Sequence, residues 1–179
     1  MFHRSERLFL RPAFAEDWQA ILAGIGEDAN IARNLARAPW PYGEAEARAF
    51  VDRPQDSRLP HFLVTLPGKG VIGSAGLGDN NGEPELGYWI ARAHWGQGYA
   101  TEAANAVLRI ARTLGHSRLT AGHFVDNPAS GRVLRKLGFV PTGRMAQRHS
   151  CARGMLVDTI EYAIALNAEG DPEPVMRAA

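Results

Sequence analysis

The segment from Glu85 to Thr113 limits the possible folds of this chain more than any other part of its sequence. It begins with ELGYWI, a short aromatic and aliphatic run typical of a β-strand, and Gly96 and Gly98 then interrupt that pattern. From position 100 to position 114, alanine and aliphatic side chains recur at three- and four-residue steps. This spacing places them on one face of a helix that ends at Gly115. The sequence thus predicts a strand, a glycine turn and a long helix.

A glycine turn at the start of a helix is suited to binding a phosphate group. The first amides of a helix have no partner within it and lie at the positive end of its dipole, and glycines let a ligand approach closely. A turn that merely needs glycine at positive φ explains the same residues. Two common phosphate loops are excluded by spacing: a dinucleotide fingerprint requires glycine at Thr101, and the Gly-Lys-Ser/Thr sequence of a P-loop does not occur.

Composition narrows the classes of function. A chain of 179 residues with 45% apolar composition is typical of one soluble globular domain, and a net charge of +1 without a basic block gives no reason to expect a nucleic-acid partner. The single cysteine, Cys151, excludes an internal disulfide, and the six histidines lack metal-ligand spacing, so no metal is expected. No signal peptide or long apolar run is present, and we expect a cytoplasmic protein that does not bind membranes.

Short apolar runs predict the rest of a mixed sheet. The runs at 61–66, 71–77 and 85–90 are separated by turns rich in glycine, proline and asparagine, a pattern typical of an antiparallel meander. The run at 118–124 follows the long helix, and a helical connection between neighbouring strands makes that pair parallel. Further strands are predicted at 7–11, 139–142 and 156–165, and further helices from Glu16, over 43–53 and from Asn127-Pro128.

These elements predict one α/β domain over residues 1–166. Its sheet would be mixed but mostly antiparallel, with about seven strands flanked by about four helices. Residues 167–179 form a polar, proline-containing tail that we expect to be disordered.

Four sequence blocks occur in order along the chain: RLFLRP at 7–12, WGQGYATEA at 95–103, NPAS at 127–130 and KLGF at 136–139. Together they resemble the GCN5-related N-acetyltransferase (GNAT) superfamily, in particular the branch that acetylates the N-termini of ribosomal proteins. The joint occurrence of these blocks is far more specific than the two glycines alone. Trp95 stands where many superfamily members have Gln or Arg, although Trp is usual in this branch. The resemblance implies the GNAT fold, in which the two parallel strands splay apart.

The resemblance also implies acetyl-CoA as the co-substrate, without a metal. The pantetheine arm would lie between the splayed strands, where its amides would pair with backbone groups of Ile90 and Ala91. The pyrophosphate would be held by the loop residues Gly96, Gln97, Gly98, Tyr99, Ala100 and Thr101. Asn127 is expected both to cap its helix and to contact the coenzyme. Lys136 either contacts the 3'-phosphate or lies on a solvated helix face.

Transfer of an acetyl group from a thioester to an amine requires an unprotonated amine and a proton for the departing thiolate. Strand alternation puts Glu85, Gly87 and Trp89 on one face, with space beside the carboxylate, so we predict Glu85 as the base. A solvated carboxylate at a strand start is the alternative. Many superfamily members use a tyrosine as the acid where this chain has Leu134. The ribosomal branch instead indicates Ser130, which ordinary helix N-terminal composition also explains.

The acceptor is expected to be a primary amine. An α-amine, with a reference pKa of about 8, is roughly one tenth neutral at pH 7 and needs only a modest base, whereas lysine at about 10.4 needs a stronger one. The resemblance places the loop 38–42, with Trp40 and Tyr42, beside the acceptor, and Trp89 shares the face of Glu85. A surface turn that staples the next helix also explains this loop.

The sequence thus predicts an N-acetyltransferase, monomeric or homodimeric, that works by direct attack in a ternary complex. Its first-choice acceptor is the N-terminus of a protein or peptide. A small-molecule amine is the alternative acceptor, and a non-catalytic acyl-CoA-binding module is the alternative function.

Overall fold

In the computed structural model, which describes residues 1–166, five helices flank one eight-stranded sheet. The strands are β1 (His3–Arg4), β2 (Phe9–Arg11), β3 (His61–Leu66), β4 (Gly70–Asn80), β5 (Glu83–Ile90), β6 (Arg118–Phe124), β7 (Val140–Ser150) and β8 (Met155–Ala165). The helices are α1 (Trp18–Gly26), α2 (Ala29–Arg33), α3 (Glu44–Val51), α4 (Tyr99–Thr113) and α5 (Pro128–Lys136). The tail predicted to be disordered, 167–179, lies outside the described residues.

The sheet is mixed, as predicted, with the strand order β1-β2-β3-β4-β5-β6-β8-β7. Its neighbouring strands are antiparallel except β5 and β6, which run parallel and pair only at Glu85 and Thr120. The predicted meander and the predicted parallel pair are therefore both confirmed. Because the ladder between β5 and β6 stops after one pair, the two strands part at the centre of the sheet.

The turn between β4 and β5 determines the neighbours of Glu85. Asn81 and Gly82 have φ values of 54° and 84°, the left-handed values that a tight hairpin turn requires. The register that follows from this turn puts Gly78 directly opposite Glu85. Since directly opposed residues share a sheet face, the carboxylate has a glycine beside it.

Two hydrophobic clusters cover the two faces of the sheet. Helix α4 packs on one face, where its predicted apolar stripe is buried together with Ala106 and Ile110. Helices α1, α2 and α3 pack on the other face, against Leu63 and Trp89. Among residues 1–166, none of the helices is both long and apolar enough to cross a lipid bilayer.

The structure adds two short elements and lengthens one strand. β1 and α2 contain two and five residues, which is too few for a hydrophobic period to show, and α2 is capped by the carboxylate of Asp28. The strand predicted at 7–11 is β2, which begins at Phe9 because the chain turns where the Ser5 amide donates to the Leu8 carbonyl. β7 continues to Ser150 instead of ending at 142, since β8 pairs with it at 140–141 and again, after a register shift, at 145–150. β7 is an exposed edge strand, so its sequence lacks apolar alternation.

Candidate active site

A cavity of about 910 Å³ opens where β5 and β6 part. It is lined by both strands, by the first turns of α4 and α5, and by the helices on the opposite face. The predicted site residues that line it are Tyr42, Glu85, Trp89, Ile90, Gly96, Gly98, Tyr99, Ala100, Thr101, Asn127, Ser130 and Lys136. Trp40, Ala91 and Gln97 are not among its lining residues. Trp40 is 40% exposed, and the amide of Ala91 donates to the carbonyl of Ile72 at 2.8 Å.

The glycine loop leads directly into α4. Gly96 and Gly98 have φ values of 76° and 82°, and Gly98 is the N-cap of the helix. No side chain of the described residues caps this end, and the bond from the Glu102 amide to the Gly98 carbonyl begins the helical ladder. The amides of residues 99 to 101 therefore precede the ladder, as a phosphate site at a helix N-terminus requires.

Trp95 ties this loop to the end of β5. Its indole Nε1 donates to the carbonyl oxygen of Ile90 at 2.5 Å, while its ring remains 46% exposed. The Ile90 carbonyl thus already has one partner, but a carbonyl oxygen has two lone pairs and can accept a second bond. Of the two residues predicted to pair with pantetheine, Ile90 lines the cavity and Ala91 does not.

Glu85 is paired with an arginine that the sequence did not indicate. Nη1 of Arg148, on β7, donates to the Glu85 carboxylate, and Nη2 donates to Glu161 on β8 at 3.2 Å. Burial opposes the charge of Arg148, but its bonds to the two carboxylates outweigh this effect and raise its pKa. A Cβ at Gly78 or Gly87 would have no heavy atom within 4 Å, so there is open space beside Glu85. The predicted room for a substrate next to this carboxylate is present.

Ser130 is hydrogen-bonded to a tyrosine, although not to one from its own helix. The Tyr88 hydroxyl lies 2.9 Å from Ser130 Oγ and 3.2 Å from the Ser130 carbonyl. Burial raises the pKa of Tyr88 to about 12, so its phenol stays protonated at neutral pH. Asn127 acts as the predicted cap, since its Oδ1 accepts a bond from the Ser130 amide at 3.3 Å. Leu134, where other superfamily members have tyrosine, is buried in the core.

Aromatic side chains form the wall of the cavity on the side of α1 to α3. The far edge of the Trp89 ring lies against α1, where a Cβ at Gly24 would be 2.9 Å from it, and the Trp89 Nε1 has no hydrogen-bond partner among the described residues. Tyr42 is buried, and this burial raises its pKa to about 12. Its hydroxyl donates to the carbonyl of Glu46 at 3.3 Å. Both residues are buried and form part of the cavity wall.

Candidate metal ligands are not grouped in the described residues. Within 1–166, histidine, cysteine, aspartate and glutamate side chains nowhere gather in threes in a way that could hold a metal ion. Cys151 is exposed, lies 4.0 Å from His149 Nδ1, and is not among the residues that line the cavity.

Comparison with known proteins gives consistent results. Residues 7–140 match the family model described as the acetyltransferase (GNAT) domain. The chain is 38% identical over 96 residues to the uncharacterized N-acetyltransferase YoaA of Bacillus subtilis (strain 168). This match covers 53% of this chain and 54% of that protein. It is 33% identical over 79 residues to the ribosomal-protein-serine acetyltransferase of Escherichia coli (strain K12), 44% of each chain.

Several solved structures are similar over almost the whole fold. Among them is RimL, a ribosomal L7/L12 alpha-N-protein acetyltransferase in complex with coenzyme A, with a TM-score of 0.77 and 21% identity over 94% of this chain and 100% of that chain. The sequence match to YoaA, by contrast, spans about half the length of that relative.

Proposed function

Because the chain belongs to the GNAT family of acetyltransferases, we propose that it transfers the acetyl group of acetyl-CoA to the α-amine of a protein or peptide N-terminus. One observation carries this proposal. A single cavity is lined by the first turn of α4 and by Glu85 and Ser130. The amides of residues 99 to 101 have no partner within the helix, so they are suited to a pyrophosphate. Both a coenzyme and an acceptor can therefore meet in this cavity.

The coenzyme would lie in the gap between β5 and β6. The amides of Tyr99, Ala100 and Thr101 would hold its pyrophosphate, and the backbone of Ile90 would pair with the pantetheine arm. Asn127 and the exposed Lys136 line the same cavity on α5, where a cation suits the 3'-phosphate. The solved RimL structure, whose likeness concerns the fold, is described with coenzyme A bound.

The proposed reaction is a direct attack. The amine nitrogen attacks the thioester carbonyl, a C–N bond forms, the C–S bond breaks, and the coenzyme leaves as a thiolate. One amine proton passes to Glu85, directly or through water, and the thiolate takes a proton from Ser130. When Glu85 is protonated, Arg148 keeps Glu161 as a partner. Tyr88, which is bonded to Ser130 and protonated at neutral pH, can return a proton to it, and Tyr88 regains its own from solvent as Glu85 releases the amine proton there.

Two considerations support an α-amine acceptor over lysine. The ribosomal-protein-serine acetyltransferase that the chain resembles is named for a protein acceptor, and RimL, which has a similar fold, is described as an alpha-N-protein acetyltransferase. In addition, an α-amine is already partly neutral at pH 7, so it needs less help from a carboxylate that also bonds Arg148.

The test combines calorimetric titration with acetyl-CoA and a thiol-release assay over a panel of amines. The panel contains peptides that begin with Ser or Ala, the same peptides with a blocked N-terminus and an internal Lys, a polyamine and free amino acids. Thiol release with free but not blocked peptides is the expected result. Thiol release with small amines alone would mean that the acceptor is a small molecule and not a protein N-terminus. Binding of acetyl-CoA without thiol release on any amine would indicate a non-catalytic module.

A further inference from the structure

Arg7 lies in the turn between β1 and β2 and contacts the start of α4 at several points. Its backbone amide and its Nε each donate to the Glu102 carboxylate at 2.7 Å. Its Nη1 donates to the carbonyl oxygen of Gln97 at 3.1 Å, and the guanidinium lies 4.6 Å from the centroid of the Tyr99 ring. A turn 90 residues away in sequence is therefore fixed to the glycine loop.

The bond to Gln97 determines the direction of the next amide. A peptide group is planar and trans, so its C=O and its N–H point in opposite directions. Because Arg7 holds the carbonyl of Gln97, the N–H of Gly98 in the same peptide is turned away from Arg7. Gly98 lines the cavity, whereas Arg7 is not among the lining residues. The N–H of Gly98 therefore points away from Arg7, and Gly98 itself belongs to the cavity wall.

The loop needs such a restraint because of its glycine. Rotation of the peptide between Gln97 and Gly98 would change φ at Gly98, and glycine accepts positive and negative φ about equally well. No side chain of the described residues caps α4, so a capping bond does not hold this peptide. The guanidinium of Arg7 is the contact that fixes its orientation.

Glu102 holds Arg7 in position. Its carboxylate is only 14% exposed and also accepts a bond from Ser5 Oγ at 2.7 Å. Burial opposes the charge of Glu102, but the bonds from Arg7 and Ser5 outweigh this effect and lower its pKa. The guanidinium therefore donates to Glu102 through Nε and to the Gln97 carbonyl through Nη1. A lysine ammonium cannot reproduce this geometry.

We propose that Arg7 is a positioning residue for the coenzyme, because it fixes the peptide between Gln97 and Gly98 so that the N–H faces the pyrophosphate. This inference rests on the proposed function, since it requires acetyl-CoA to bind at the glycine loop. It gives the N-terminal turn a role in a site to which it contributes no lining residue.

The test compares Arg7→Met with two ligands. Acetyl-CoA carries the pyrophosphate, and S-acetylpantetheine ends before it. We expect the Kd for acetyl-CoA to rise about tenfold, which corresponds to about 1.4 kcal/mol. The Kd for S-acetylpantetheine, measured by NMR titration, should stay at the wild-type value. Arg7→Lys should weaken acetyl-CoA binding nearly as much.

Arg48→Met is the matched control. Arg48 also pairs with a glutamate, Glu44, and also lies over an aromatic ring, that of Trp18, but it is not among the cavity-lining residues. Wild-type affinity for acetyl-CoA in Arg7→Met, or an equal loss with both ligands, would overturn the inference alone. A wild-type protein that does not bind acetyl-CoA would overturn the proposed function, and the inference with it.

Discussion

Arg148 makes Glu85 part of a group of three charges. Two carboxylates, Glu85 and Glu161, share one guanidinium at the edge of the cavity, so the group carries one net negative charge. Such a charge favours the approach of an ammonium acceptor. The same pairing leaves Arg148 with a partner at every stage of a proton transfer, and the group can therefore lose and regain a proton without leaving a cation unpaired.

Replacing Glu85 with Gln should slow acetyl transfer by about a hundred- to ten-thousand-fold at neutral pH, because the amide keeps the shape of the side chain but cannot take a proton. Since a higher pH supplies neutral amine without help, the deficit should shrink toward pH 9. The measurement is turnover against pH on a verified acceptor with chemistry rate-limiting.

Glu161→Gln is the control for this experiment, since it removes the same charge from the same guanidinium. We expect it to cause a smaller loss that does not change with pH. If Glu85→Gln turns over at the wild-type rate at pH 7, Glu85 is not the base, and water or another carboxylate has that role.

Ser130→Ala should lower turnover about a hundredfold and leave the Kd for acetyl-CoA unchanged, because the role that we propose for the hydroxyl concerns only the departing thiolate. Tyr88→Phe should cost about tenfold by removing the hydrogen bond to Ser130. If the two hydroxyls act as one unit, Tyr88→Phe will have little further effect in a Ser130→Ala background. Full additivity in this double-mutant cycle would show that Tyr88 does not act through Ser130.

Single residues were predictable from the sequence only where local geometry decides their direction. Alternation along β5 is enough to put Glu85 and Trp89 on one face, and the helix start is enough to identify Asn127 as a cap. Arg148 reaches Glu85 from β7, and Tyr88 on β5 reaches Ser130 on α5, and no local pattern reports such contacts between distant segments. A signal for Arg148 did exist: the predicted last strand was too long for its predicted four-residue partner, so a longer β7 was needed.

The turn between β5 and α4 can be tested as a unit. Gly98→Asp should abolish measurable binding of acetyl-CoA, because it adds a negative charge at the start of α4 and its Cβ would lie 3.5 Å from Arg7 Nη2, where the carboxylate competes with the Gln97 carbonyl for the guanidinium, while Gly98→Asn should weaken binding much less. Asparagine and aspartate have the same shape and tolerate positive φ similarly, so their difference isolates charge from backbone strain. Calorimetry gives both affinities, and equal affinities for the two variants would argue against a phosphate at this loop.

The contribution of Glu102, which links the β1–β2 turn to α4, to the stability of the fold should depend on pH. The pKa of Glu102 is lowered in the folded protein, so its contribution to stability is complete above its ordinary value of 4.5 and is lost as the pH falls through the lowered value. Glu102→Gln should therefore cost about 1 kcal/mol in urea unfolding at pH 7.

That cost should shrink only below pH 4.5. Glu44→Gln, which breaks an exposed pair, is the control and should cost little at any pH. If Glu102→Gln still lowers the free energy of unfolding in acid, the charge of the Glu102 carboxylate is not the cause of that loss.

Elements were predictable in proportion to their length and burial. α4 and the meander repeat a clear period over many residues, and α4, β3 and β6 were placed to within a residue or two. α2 has one turn and depends on a cap and on packing, and β7 depends on pairing with β8. Periodicity cannot reveal structure that tertiary contacts impose on a polar segment.

At the scale of the whole molecule, the gap between β5 and β6 predicts a large effect of the coenzyme on stability. A ligand that binds only the folded state stabilises it by about 2.7 kcal/mol at one hundred times its Kd. For a chain of this size we expect acetyl-CoA at that concentration to raise the Tm by roughly 5–10 °C. Differential scanning fluorimetry measures this shift, and a Tm that does not move would contradict binding within the sheet.

The single pair between Glu85 and Thr120 also has a mechanical meaning. The strands β5 and β6 form the two arms of a V whose vertex is this pair, and in any V the displacement caused by a change of angle grows with distance from the vertex. Ile90 and Phe124, at the ends of the arms, would move most when a bulky coenzyme enters or leaves. Glu85 stands at the vertex, so the carboxylate that we propose as the base would keep its place while the two strands adjust around the coenzyme.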